Sequence, residues 1–488
     1  MKRFLTLALA LLMLMSCFAL ASCKNDKDKP DDTDEEEYTQ PANLNEQLDV
    51  PENLNFDDEF KVLGFNGLAP EFGDAELSEP DLVEQSLYER DDFVETYLGI
   101  IFDYSQMNGQ WNDRHTYADT VYQSVLSNSG AWDLIGTYSM IPASLAIRGV
   151  VVDLLEQDYV NFDKEWYSPF MVDACTISGK AYSISGDISA NLLYSMQGVI
   201  FNAEQAKTNG IDEQELYQMV YDGDWTLENW LTMCENMGQE LDGDGVWNAT
   251  DYYPIVSADD VWFDSFYYSM GLKLVEEDAN GVLHVSEDMT SEKVLTVYSM
   301  IMDAVTTYHS FTNIEAPKAL VEDRCIFSIN QLIDFRSVLA ESMLKLRVLP
   351  FPKYEAGTST TYQTMISFGH AQYCIPKDAE DLSRSAAVLE TLGYAGYTYV
   401  TPMIFEEVMK LRYSDNPDVS AMFDYLRSGC TFDSASLYTM CFEDVNHPHG
   451  MFRTAVGTSV SNWVSNYINN FEYGIEHIVE EMNKFYSK

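Results

Sequence analysis

Positive charge is what this sequence lacks most. Its 488 residues carry 28 lysines and arginines against 79 aspartates and glutamates, a formal charge of −51 at pH 7. A field of that sign repels phosphate backbones and anionic lipid headgroups, which excludes nucleic-acid binding and favours a neutral or cationic ligand over an anionic one. Signatures of metal or nucleophilic catalysis are scarce too. The eight cysteines include no C-x-x-C pair, which argues against zinc. There is no H-E-x-x-H, and Gly457-Thr458-Ser459-Val460-Ser461 lacks the final glycine of a nucleophile elbow. No internal repeat occurs. The apolar stretch from Phe4 to Leu14 falls short of the roughly 18 to 20 residues that a membrane-spanning helix needs.

What is present begins with a leader. Lys2 and Arg3, the apolar stretch and the small residues Ala21-Ser22 have the order of a secretory signal peptide. Leu20-Ala21-Ser22-Cys23 resembles the lipobox of bacterial lipoproteins. That resemblance implies removal of residues 1–22, acylation of Cys23, and attachment to the extracellular or periplasmic face of a cell membrane. Residues 23–56 read as an acidic tether. Lys24 to Glu37 is almost wholly charged or polar, with Pro30 and the run Asp34-Glu35-Glu36-Glu37, and buries too little apolar surface to order itself. Past the leader and anchor, six scattered cysteines remain. Several sit in apolar runs such as Cys325-Ile326-Phe327, so mostly buried thiols are expected.

Hydrophobic residues make up 46% of the chain, enough for a large core, and its length predicts two or three domains. The body starts near Phe60. Phe60 to Phe65, Ile100 to Tyr104 and Asp133 to Gly136 read as strands. A helix is expected from Ser78, as its N-cap, to Tyr97, with Gly99 just past its end. Further strands are expected at Lys180–Ser185, Leu192–Phe201, Arg324–Ile329, Leu346–Pro350 and Ala371–Ile375. Thr226 to Met237 has Leu227, Trp230, Leu231 and Cys234 at helical spacing. The chain from Ser383 on reads as mostly helical. Alternating strands and helices predict α/β architecture with mainly parallel sheets.

Five ordered stretches then resemble one family. They are Leu87-Tyr88-Glu89-Arg90 through Ile100; Trp132-Asp133-Leu134-Ile135-Gly136 with Ala143-Ser144-Leu145-Ala146; Ile177-Ser178-Gly179-Lys180-Ala181-Tyr182 before Gly198-Val199-Ile200-Phe201-Asn202; Gly223-Asp224-Trp225-Thr226; and Leu349-Pro350-Phe351-Pro352 with Ile375-Pro376-Lys377. From Phe60 onward the chain resembles the extracellular solute-binding proteins of carbohydrate ABC transporters. The resemblance implies a two-lobed, periplasmic-binding-protein-like fold of type II, each lobe a mainly parallel sheet flanked by helices. It implies residues 57–195 in the first lobe, 196–350 in the second, 351–400 returning to the first and 401–488 returning, mainly helical, to the second. Hinge crossings would fall near Ser195–Ile200, Leu349–Tyr354 and Ala395–Pro402. A monomer that hands a carbohydrate to permease subunits is what the family implies.

A sugar offers apolar ring faces edged with hydroxyls, so its site wants aromatic platforms with amide and acidic side chains. Position selects Asn66 after the first strand and Tyr138 after the third. Trp262, Phe263 and Tyr268, with Tyr267, follow Ile255-Val256-Ser257 in the second lobe. Asp187 matches a place where related sugar binders often carry an acidic ligand residue. Separately, Glu240 to Asp251 fits an EF-hand loop: oxygens from Glu240, Asp242, Asp244, the Val246 carbonyl, Asn248 and Asp251 at positions 1, 3, 5, 7, 9 and 12, with Gly245 at the turn. A structural Ca2+ is expected there, although position 12 is Asp rather than Glu and Tyr252-Tyr253-Pro254 reads as strand rather than exiting helix. The competing reading of the whole chain is a lipid-anchored, glycan-acting hydrolase.

Overall fold

A computed structural model describes residues 48–67, 70–73, 81–257, 262–278, 282–313, 316–340, 342–357, 359, 361–412, 416–442 and 460–486. The leader, Cys23, the tether through residue 47 and residues 443–459 lie outside the described residues.

Nine strands build two sheets. They are β1 (Asp58–Phe65), β2 (Ile100–Met107), β3 (Leu134–Tyr138), β4 (Gln197–Asn202), β5 (Ile255–Ser257), β6 (Phe311–Asn313), β7 (Phe327–Gln331), β8 (Leu346–Leu349) and β9 (Ala371–Cys374). The first sheet has the order β9-β3-β1-β2 and the second β6-β5-β7-β4-β8. In the first, β1 runs parallel to β2 and β3, while β9 is antiparallel to β3. In the second, β5 is parallel to β6 and β7, but β4 is antiparallel to β7 and β8. In the second sheet β5, β6, β7 and β8 therefore share one direction and β4 alone runs against them, as β9 does in the first. The cause is β4: the chain enters this sheet from the first one at the carboxyl edge, where Gln197 pairs with Gln331, and must run backwards through it. The inner strands are buried where they are apolar, Val62, Leu63 and Phe65 of β1 and Val199, Ile200 and Phe201 of β4, as strands covered on both faces are, whereas the edge strand β2 leaves Ile101, Asp103 and Ser105 exposed.

Both sheet-to-sheet crossings join carboxyl edges. The first leaves α3 (Ala190–Ser195) and enters β4. The second leaves the end of β8 at Leu349 and returns at Ala371, which pairs with Tyr138 at the end of β3. The carboxyl edges of the two sheets therefore flank the crossings, the place where open α/β sheets hold ligands.

Among the helices that position this region are α1 (Leu82–Leu98), α2 (Arg114–Leu126), α4 (Leu227–Cys234), α5 (Trp262–Ser269), α6 (Leu382–Ala395), α7 (Thr401–Arg412), α8 (Pro417–Ser428) and α9 (Val460–Tyr486). The cap of α1 is Asp81, not Ser78, which lies outside the described residues. Asp81 accepts from the Val83 and Glu84 amides while Glu84 accepts from the Asp81 amide, a reciprocal box that satisfies orphan donors at both positions. Gly99 closes α1 in the left-handed region at φ 63°. Thr226 caps α4 through the Asn229 amide. Arg384 of α6 pairs with Asp58 and Asp133 at the amino ends of β1 and β3. From there α6 runs without a break through a π-turn, Gly396–Val400, into α7.

Two expected strands differ. Leu192–Ser195 is helical: Ser189 caps the Leu192 amide and starts a turn that defers the strand to Gln197. Lys180–Ser185 keeps only the two-residue strand Lys180–Ala181, hairpinned against Thr176–Ile177. The six body cysteines are buried and no disulfide joins them. No helix among the described residues is long and apolar enough to cross a membrane.

Candidate functional site

The carboxyl edge of the first sheet gathers amides and an aromatic ring. Asn66, exposed after β1, donates from Nδ2 to Asn108 Oδ1 after β2 at 2.8 Å. Its carbonyl accepts from Gln110 Nε2 at 2.5 Å. Next along the chain is half-exposed Trp111, with the Arg114 guanidinium 3.9 Å from the ring centroid. Tyr138, at the end of β3, is adjacent but turned inward. It is buried, lies edge-on to Phe65 at 6.1 Å, and burial pushes its hydroxyl up to about 12 against the pull of Arg114. Asn66 and Tyr138 therefore share one edge, with Asn66 at the surface and Tyr138 beneath it. Asn108, Gln110 and Trp111 were not singled out from the sequence; their place directly after a strand that follows α1 was the signal available.

Arg336, just past β7, reaches across from the second sheet. It donates to the Tyr194 hydroxyl of α3 at 3.1 Å, lies over that ring at 5.3 Å, and forms an ion pair with Asp81, the α1 cap. Gln331 at the end of β7 donates to Ser367 Oγ at 2.6 Å, across the second crossing. These contacts tie the lobes beside the crossings.

Asp187 lies elsewhere. It is 4% exposed, its amide donates to the Trp166 carbonyl, and its carboxylate takes Arg427 of α8. Burial raises its pKa, with Arg427 partly offsetting that. The close seat requires a glycine on the helix opposite: a Cβ at Gly396 would stand 2.0 Å from the Asp187 carbonyl oxygen. Asp187 lines a cavity of about 560 Å3 between the Phe162–Val172 segment, α8 and the first crossing at Leu192 and Met196. Neither Asn66 nor Tyr138 lines it.

Tyr268 of α5 is buried and shares a hydrogen bond of 2.7 Å with Ser436 Oγ, beside a smaller cavity of about 130 Å3. Tyr267 donates to the Lys273 carbonyl. Tyr268 is thereby tied to the C-terminal segment, while Tyr267 bonds within its own lobe. The side chains of Trp262 and Phe263 lie outside what the structure describes.

In the calcium-type loop, carboxylate oxygens of Glu240, Asp242 and Asp244 lie within 4.8 Å of one another. The three donors fit a hard dication. The other three have different duties. Asp251 is fully buried and its two oxygens accept from the Leu241 and Asn248 amides. Asn248 Oδ1 accepts from Thr250, and Asn248 Nδ2 donates to the Val246 carbonyl. The loop is closed at its base by paired Gln239 and Tyr252 amides and leads straight into β5. Asp242 titrates below the usual carboxylate range because neighbouring groups hydrogen-bond to it.

No family model matches the chain, and no curated protein matches it. Solved structures do. UspC of M. tuberculosis superposes with a TM-score of 0.56 at 12% identity, over 85% of this chain and 100% of that one. The cyclic alpha-maltosyl-1,6-maltose binding protein of Arthrobacter globiformis gives 0.55 at 12%, over 86% and 99%. UgpB of Mycobacterium tuberculosis, solved with glycerophosphocholine, gives 0.54 at 11%, over 86% and 98%. The likeness is one of fold: the chain has the two-lobed α/β architecture of periplasmic-binding-protein-like molecules.

Proposed function

We propose that this chain captures a sugar or oligosaccharide between its lobes and delivers it to the permease of an ABC importer, with no chemistry of its own. The observation that carries the reading is the cluster Asn66, Asn108, Gln110 and Trp111 at the carboxyl edge of the first sheet. Amides donate and accept at once, as sugar hydroxyls require, and an indole ring suits an apolar sugar face. The similar structures support it: one is named for binding a cyclic maltosyl-maltose and another holds a glycerol-based polar solute. A ligand touching both lobes closes them by its differential affinity for the closed form.

Two further parts belong to this proposal. Cys23 carries the lipid that holds the protein at the membrane surface, on the tether of residues 24–56. Ca2+ binds at Glu240, Asp242 and Asp244 and stiffens the loop that leads into β5.

A glycan panel tests the central claim. The expected result is a raised melting temperature and a smaller radius of gyration with one class of sugar, and no product. An unchanged radius at saturating sugar refutes closure, and turnover establishes the hydrolase instead.

A further inference from the structure

The cavity beside Asp187 has a chemistry of its own, independent of the proposed sugar site. At about 560 Å3 it has the size of a site for a small organic molecule. Part of its lining is apolar: buried Met171, Leu192 and Met196, with half-exposed Val172 at the rim. Its charges are unequal in sign. The carboxylates Asp163, Glu165, Asp187 and Asp424 line it, against the cations Lys164 and Arg427. Both cations are committed, Lys164 to Asp49 at 2.8 Å and Arg427 to Asp187. Glu165 already takes the Tyr397 hydroxyl at 2.7 Å. Asp424, at the exposed lip on α8, has no ion pair or hydrogen bond among the described residues. Its partial burial lifts its pKa, with Arg427 offsetting only part. The cavity thus presents an acceptor without a hydrogen-bond or ion-pair partner among the described residues, its charge offset only in part by Arg427, in a lining that also carries apolar side chains.

We infer that this cavity binds a small amphiphilic organic cation, its ammonium group at Asp424 and its apolar body against Met171, Val172, Leu192 and Met196. An anion of the same shape meets a lining with four carboxylates and two cations that are already paired. A neutral alcohol gains the apolar contact but lacks the charge-assisted hydrogen bond.

Three probes of one shape and different charge test this: phenethylamine, 2-phenylethanol and phenylacetate, titrated calorimetrically into the purified full chain at pH 7. Phenethylamine, cationic at that pH, is expected to bind about tenfold or more tighter than the alcohol, with phenylacetate weakest. Asp424→Asn removes the preference for the amine and leaves the alcohol unchanged, a change that a packing role for Asp424 does not produce. Asp424→Lys turns the order toward phenylacetate. Val172→Trp, filling the cavity from a half-exposed rim position, abolishes binding of all three. Equal affinity for the three probes overturns the inference, as does wild-type binding in Val172→Trp or no binding of any probe at about 10 mM. Circular dichroism checks the fold, and if Val172→Trp does not fold, the amine-to-alcohol ratio in Asp424→Asn decides alone.

Discussion

Asp187 and Arg427, 240 positions apart, form a two-point ion pair: Nε to Oδ1 at 3.3 Å and Nη2 to Oδ2 at 2.5 Å. Asp187 sits in the first lobe and Arg427 on α8, and the second nitrogen also reaches the Glu165 carbonyl. The pair fastens the C-terminal segment to the hinge side of the first lobe.

Removing one partner should cost more than removing both. Asp187→Ala leaves Arg427 uncompensated, and a fully buried pair broken this way loses about 3–5 kcal/mol. A quarter of the Arg427 side chain remains exposed, so about 2–3 kcal/mol is expected here, with most of it recovered in Asp187→Ala/Arg427→Met. Urea denaturation measures both. A single-variant loss below about 0.5 kcal/mol would show that the pair does not hold the segment. Sugar affinity in the double variant separates fastening from recognition: an unchanged value is expected, because Asp187 lies away from the Asn66 cluster, and a large loss would bring Asp187 into the sugar site.

Glu390 of α6 is fully buried, accepts from the Tyr167 hydroxyl at 3.1 Å and the Asn161 amide at 3.3 Å, and burial pushes its pKa up to about 7. An acid with a raised folded pKa binds more protons folded than unfolded, so its contribution to stability falls as pH rises from about 4.5 to about 7 and stays low above that. Relative to Glu390→Gln, the wild type should lose about 3 kcal/mol across that window. Parallel denaturation curves at pH 4.5 and 8 that differ equally for the two proteins would contradict this.

Trp247, inside the calcium-type loop, stacks on His309 at 4.2 Å with 10° between the planes. Adding Ca2+ should change its fluorescence, and a chelator should lower the melting temperature. Asp242→Ala with Asp244→Ala should abolish both responses. Calorimetry without heat of binding at millimolar Ca2+ would end the metal proposal.

Cys23→Ala should move the protein from the membrane fraction to the soluble fraction. A variant as firmly bound as the wild type would point to attachment by something other than an acyl chain.

Much of the fold was legible because its signals are local. Apolar runs predicted β1, β2, β3 and β7 to β9 to within a few residues, and Thr226 and Gly99 announced a helix start and a helix end through their own backbone chemistry. The misses have local causes as well. Leu192 to Phe201 is one apolar run, and hydrophobicity cannot divide it into α3 and β4; the Ser189 cap does so. The candidate site was less legible. Asn66 and Tyr138 stand at the ends of neighbouring strands, but which one meets solvent is decided by packing, Tyr138 lying edge-on to Phe65.

The sequence by itself determined the α/β class, the acidic surface, the leader pattern and the spacing that brings Glu240, Asp242 and Asp244 together. Each depends on composition or on residues within a dozen positions of one another. Only the tertiary structure decided that β4 runs backwards through the second sheet, that Arg427 claims Asp187, that Asp251 closes its loop from inside, and that Asp424 shares a cavity with Met171, Leu192 and Met196. Those outcomes depend on which groups meet across hundreds of residues. They are settled by burial, since a carboxylate taken from water must find a donor and takes whichever one the fold delivers.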